Sequence, residues 1–143
     1  MMRVGLDLVE VEEVRCALAR FGERYRRRVF TDEEIRRSEA SSDPVGCLAQ
    51  FFAAKEATLK LLRASDEGVD WRTIDCGRQG PGLTGDAAGG TNGALRLSAH
   101  AYRLALDAGI SGISLSLSRS GDHAMAVAVA WGPPAGPPGK EGS

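Results

Sequence analysis

Apolar and polar positions alternate from Arg3 to Val9, with Val4, Leu6 and Leu8 on one side and Gly5, Asp7 and Val9 on the other, the period of a β-strand. The bulkier stripe predicts that Val4, Leu6 and Leu8 face the core and that Asp7 points away from it. From Val11 the period changes to that of a helix: Val11, Val14 and Leu18 share a face, and Gly22 stands where a helix would be closed. Thr31-Asp32-Glu33-Glu34 has the form of a capping box, which predicts a short helix to about Ser38. Ser42-Asp43-Pro44 opens another, and Val45 to Arg63 carries the longest helical pattern of the chain. Leu48, Phe52, Leu59 and Leu62 can line its buried side, and Ala53, Ala54 and Ala57 permit close packing.

Beyond this helix, Trp71, Ile74 and Cys76 suggest a strand, and Gly77 to Gly93 reads as a glycine-rich loop. Ala94 to Leu97 is a short strand candidate. Ser98 can cap a helix over Ala99 to Ala108, closed by Gly109. Ile113–Ser118 and His123–Trp131 alternate and are joined by Arg119-Ser120-Gly121-Asp122, a hairpin pattern. The elements predict a single α+β domain over residues 1–132, in which a small antiparallel sheet packs against the long helix, followed by a disordered Pro/Gly tail over 133–143.

Composition narrows the chemistry. A chain of 143 residues, 43% hydrophobic and 26% charged, is ordinary for one soluble domain, and no apolar run is long enough to cross a bilayer. Three cysteines, Cys16, Cys47 and Cys76, lie far apart without a Cys-x-x-Cys spacing, which fits a reducing cytoplasm better than a disulfide framework or a zinc knuckle. Two histidines are too few for a histidine-rich metal site, so a metal here would sit on oxygen ligands. The net charge of −1 conceals a basic segment in which Arg15, Arg20, Arg24, Arg26, Arg27 and Arg28 crowd together, a patch suited to an anionic partner. The acidic overall balance, 6% aromatic content and the lack of a binding motif argue against nucleic acid as that partner.

Two segments carry the candidate chemistry. One is Gly5-Leu6-Asp7-Leu8-Val9-Glu10 on the first strand. The other is Phe52-Ala53-Ala54-Lys55-Glu56-Ala57-Thr58-Leu59-Lys60 on the long helix, where Glu56 and Lys60 share a face one turn apart. In this order, Gly-x-Asp-x-x-Glu followed by Phe-Ala-Ala-Lys-Glu-Ala-x-x-Lys resembles the two signature segments of the holo-acyl-carrier-protein synthases, a family of 4'-phosphopantetheinyl transferases. The likeness continues through Arg28-Val29-Phe30-Thr31-x-x-Glu34, Trp71-x-x-Ile74, Ser114-x-Ser116 and Ala124-x-Ala126, and covers about residues 4–130.

The resemblance implies the 4'-phosphopantetheinyl transferase fold, a homotrimer with active sites between subunits, and transfer of phosphopantetheine from coenzyme A to a serine of an acidic acyl carrier protein. It implies that Asp7 and Glu56 hold magnesium, that Lys60 stabilises the leaving bisphosphate, and that Lys55, Lys60 and Ser116 contact coenzyme A. Glu56 or a magnesium-bound water would take the serine proton. Arg15, Arg20 and Arg24 would dock the carrier, through opposite charge, on the first helix. The chain departs from the family pattern at Gln50-Phe51, at Leu117 where a histidine is common, at Glu13 and at Ala94. Gln50 and Leu117 also motivate a second reading, a relative that binds carrier or coenzyme A without transferring the arm.

Overall fold

In the computed structural model the described residues are 1–65, 68–77 and 95–134. Three antiparallel strands, β1 (Met2–Glu10), β4 (Gly112–Ser120) and β5 (His123–Trp131), form a sheet in the order β1-β5-β4. A second, two-stranded sheet pairs β2 (Ile74–Asp75) with β3 (Arg96–Leu97). The helices are α1 (Val11–Phe21), α2 (Glu23–Val29), α3 (Asp32–Glu39), α4 (Pro44–Leu62) and α5 (Ala99–Asp107).

Local chemistry accounts for most of these boundaries. Thr31 accepts from the Glu34 amide while Glu34 reaches back to the Thr31 amide, so the predicted capping box starts α3. Asp43 accepts from the Gly46 amide with Pro44 at the first turn, starting α4. The β4-β5 hairpin closes with Ser120 opposite His123, leaving Gly121-Asp122 as a two-residue loop in which Gly121 takes a positive φ of 55°. α2 is an element that the apolar pattern did not reveal, because five of the seven residues of Glu23–Val29 are charged and only Tyr25 and Val29 are apolar. The Trp71 segment is a 3-10 turn, Trp71–Thr73, ahead of a two-residue strand, and Trp71 stacks on Phe52 at 5.3 Å. Ser98 stands at the N-cap of α5 without a side-chain capping bond, and Gly109 follows the helix with φ 72°.

The core lies between α4 and the inner face of the three-stranded sheet. Ala124, Ala126, Ala128 and Ala130 of β5 and Ala53, Ala54 and Ala57 of α4 are all fully buried, so small side chains on both sides let helix and sheet approach closely. β1 meets α4 backbone to backbone at Gly5. A Cβ on Gly5 would stand 2.0 Å from the Ala57 carbonyl oxygen and 3.1 Å from the Leu61 amide nitrogen, so only glycine fits there.

This contact corrects the expected facing of the first strand. Gly5 and Val9 are buried and Asp7 shares their side, whereas Val4, Leu6 and Leu8 are 62%, 54% and 62% exposed. The helix selects the stripe that lets backbone approach backbone, and the bulkier stripe is left outward. The expected glycine-rich loop, from residue 78 on, and the expected tail, from residue 135 on, fall outside the described residues.

Candidate active site

Gly5 seats β1 on α4 against Ala57 and Leu61, and the next inward residue of the strand, Asp7, meets Lys60 of the same helix. Lys60 Nζ donates to Asp7 Oδ1 at 2.8 Å and to the Leu6 carbonyl oxygen at 3.0 Å. Asp7 is mostly covered and Lys60 is about half exposed, so the pair sits at a solvent-facing edge of the core. Glu56, half-buried, lies one helical turn before Lys60 and therefore on the same face of α4. Asp7 of β1 and Lys60 of α4 are thus in contact, and Glu56 lies on the same helix face as Lys60.

Lys55 is not part of this edge, and the expectation that it contacts phosphate is corrected. Its side chain is fully buried and its ammonium forms an ion pair with Glu34 Oε1 at 2.8 Å while donating to the carbonyl oxygens of Trp71, at 2.9 Å, and Ile74. Three donors meet three acceptors, which leaves no N–H for a phosphate. Burial pushes the Glu34 carboxyl up despite the opposing pull of Lys55 and of the Cys76 and Thr31 amides. Sequence reading saw Glu34 as a capping residue and missed this second role.

Ser116 is not brought to Asp7 within the chain. It is exposed on the outer face of β4, opposite Val127, whose other neighbour is the outward Leu6. In contrast, Leu117 lies inward in the row Leu117–Ala126–Asp7, so the position where the resemblance anticipates a histidine is aligned with the site and apolar here.

The basic segment divides between two helices. Arg15 and Arg20 are on α1, where Arg15 pairs with Glu12 at 2.6 Å and the Arg20 guanidinium lies 5.1 Å from the Phe21 ring centre. Arg24 is exposed on α2 rather than on the first helix. Arg26 and Arg27 pair with Glu23, and Arg26 also with Glu39. A cavity of about 510 Å³ opens elsewhere, between the start of α3, Arg72 and Arg96, and does not include Asp7, Glu56 or Lys60.

Comparison with known proteins decides what this arrangement belongs to. Residues 3–128 match the family described as the 4'-phosphopantetheinyl transferase superfamily. The chain belongs to that superfamily. It is 38% identical over 133 residues to the holo-[acyl-carrier-protein] synthase of Desulforudis audaxviator, covering 93% of this chain and 95% of the relative. The crystal structure of the holo-[acyl-carrier-protein] synthase from Neisseria meningitidis superposes with a TM-score of 0.74 at 30% identity, over 90% of this chain and 97% of that one. A synthase–coenzyme A complex from Chronobacterium ammoniagenes gives a TM-score of 0.69 at 28% identity, over 91% and 96%. As in the superfamily, the enzymatic activity is transfer of a 4'-phosphopantetheine group from coenzyme A to an apo acyl carrier protein.

Proposed function

We propose that this transferase works where β1 meets α4, with Asp7, Glu56 and Lys60 as the acting groups, and that it modifies a serine of an acidic acyl carrier protein. The observation that carries the reading is the Lys60–Asp7 contact at 2.8 Å, which joins the two signature segments in one place.

Asp7 and Glu56 fit a magnesium ion by the chemistry of their donor set. Among the described residues no group of three or more His, Cys, Asp or Glu is positioned to hold a metal. Magnesium takes only one or two carboxylates when substrate phosphate oxygens and waters complete its shell, so two carboxylates suit it and would not suit zinc. When bound, the ion supplies neutralisation of diphosphate charge. In the transfer, the serine oxygen forms a bond to the phosphorus that bears the pantetheine, and the P–O bond to adenosine 3',5'-bisphosphate breaks. Glu56 takes the serine proton directly or through a water, and Lys60, half-exposed beside Asp7, offsets charge on the leaving bisphosphate.

The outward face of the sheet supports a homotrimer. Val4, Leu6 and Leu8 are joined there by Met125 and Trp131, both more than a third exposed, an apolar surface that calls for a partner. Ser116 lies on this face, and a neighbouring copy covering it would place Ser116 against coenzyme A in a site shared between subunits. Arg15, Arg20 and Arg24 line the approach for the carrier, and a single transferase domain over residues 1–132 accommodates all of these parts. Among the described residues no helix is long and apolar enough to cross a membrane, and the cysteines are free, in keeping with a cytoplasmic setting.

Mass spectrometry of several apo carrier proteins, incubated with the protein and coenzyme A with and without magnesium, tests the reading. The expected result is one phosphopantetheine added per carrier, only with magnesium. Tight binding of carrier or coenzyme A without any mass increase would favour the binding-only reading that Gln50 and Leu117 motivate.

A further inference from the structure

Lys55 and Glu56 are adjacent on α4, so their side chains leave the helix about 100° apart. One enters the core while the other shares the edge with Lys60. The buried one is held from three directions. Glu34 Oε1 comes from α3, the Trp71 carbonyl from the 3-10 turn, and the Ile74 carbonyl from β2. Glu34 is itself held, since Oε1 accepts from the Thr31 amide at 2.9 Å and Oε2 from the Cys76 amide at 2.8 Å. All three ammonium N–H groups and both carboxylate oxygens of the pair are engaged, and both side chains are fully buried.

A buried ion pair is a poor source of stability, because desolvation of both charges offsets their attraction, and an apolar pair of similar size often serves the fold as well. What an ion pair with fixed acceptors does supply is direction: the ammonium has one place to go, so the rotation of α4 about its own axis is set at residue 55. On the β1 side, Gly5 against Ala57 fixes distance, and the polar contacts there, Lys60 with Asp7 and Arg3 with the Leu61 carbonyl, are solvent-exposed or only partly buried and hold the helix less firmly.

We propose that Glu34 and Lys55 are positioning residues for the transfer: their buried pair sets the rotation of α4 and thereby aims Glu56 toward Asp7 and the reacting phosphate. This inference rests on the reading of Glu56 as an acting group.

The test compares native protein with Glu34→Gln/Lys55→Met, which removes both charges at nearly constant volume, and with Glu34→Gln alone. Melting temperature, kcat, the KM for carrier, and coenzyme A affinity by calorimetry in chelator and in magnesium are measured for each. The double variant is expected to fold and to keep coenzyme A affinity in chelator and the KM for carrier. It is expected to lose the magnesium-dependent gain in coenzyme A affinity and to turn over about 100-fold more slowly, the scale for an ångström of misplacement. A folded double variant with native kcat and a native magnesium-dependent gain would overturn the proposal and leave the pair a structural feature only. If the double variant fails to fold, Glu34→Gln decides: lowered kcat at unchanged carrier KM supports positioning, and native kcat contradicts it. Glu56→Ala is the control, because native turnover in that variant would refute the role of Glu56 itself, whatever the pair does.

Discussion

Gly5 lies so close to Ala57 that only one of its α-hydrogens fits between strand and helix, and a methyl in its place would stand 2.0 Å from the Ala57 carbonyl oxygen. The contact places Asp7, two residues on, beside Lys60. Gly5→Ala must therefore push β1 off α4. We expect a stability loss of about 1–3 kcal/mol, the usual cost of overpacking, together with a larger fractional loss of transfer, measured by thermal unfolding and a steady-state assay on the same preparation. Equal, small effects on both would mean that the site does not depend on this approach.

Lys60→Gln separates binding of substrate charge from folding. The Lys60–Asp7 pair is half-exposed on the lysine side, and pairs of that kind contribute only about 0–1 kcal/mol to stability. The variant should melt within a few degrees of the native protein yet transfer far more slowly. Native turnover in a folded Lys60→Gln protein would remove the lysine from the proposed mechanism.

Charge reversal at Arg15, Arg20 and Arg24 should raise the KM for the carrier while leaving that for coenzyme A nearly unchanged, because these side chains lie on α1 and α2 and the acting groups on β1 and α4. Exposed charges act mainly on association, so added salt should reproduce the defect in the native protein. An unchanged carrier constant, or a matching loss for coenzyme A, would show that the carrier docks elsewhere.

Leu6→Asp puts a charge on the outward sheet face without touching the core, since Leu6 is 54% exposed in the single chain. Light scattering coupled to size exclusion should show the native protein as a trimer and the variant as a smaller species. A native protein that elutes as a monomer would contradict the assembly.

Asp43 gives a pH signature. The Gly46 amide and the Arg119 guanidinium hold its carboxyl below the usual range. A depressed folded-state value stabilises above the unfolded value, near about 3.9, and that stabilisation disappears as pH falls through the folded value. Asp43→Ala should therefore cost about 1 kcal/mol at neutral pH as a lost helix cap, and the gap from the native protein should close in acid. A gap that is constant down to low pH would contradict the assignment.

The residues also show where sequence reasoning reached and where it stopped. The starts of α3 and α4 were legible because capping is local: Thr31 with Glu34 and Asp43 with Gly46 each act within one turn. The facing of β1 was misread because alternation gives two stripes without saying which meets the helix, and the closer approach belongs to the stripe containing Gly5. α2 escaped because Glu23 to Arg28 has no apolar period to detect. Lys55 reads as a coenzyme A contact because its three acceptors, on Glu34, Trp71 and Ile74, come together only in the folded chain. Asp7, Glu56 and Lys60 are singled out by the pattern of the two segments, and the contact of Asp7 with Lys60 is a property of the packing between β1 and α4.

The most direct test of the central claim is the rate of phosphopantetheine transfer from coenzyme A to an apo acyl carrier protein by native, Asp7→Ala and Glu56→Ala proteins at saturating magnesium, each checked for a native melting profile. The native protein should add one phosphopantetheine per carrier, and both variants should remain folded yet lose most of that activity, the loss reflecting several kcal/mol of transition-state charge stabilisation. Near-native turnover in either folded variant would contradict the placement of the reaction between β1 and α4.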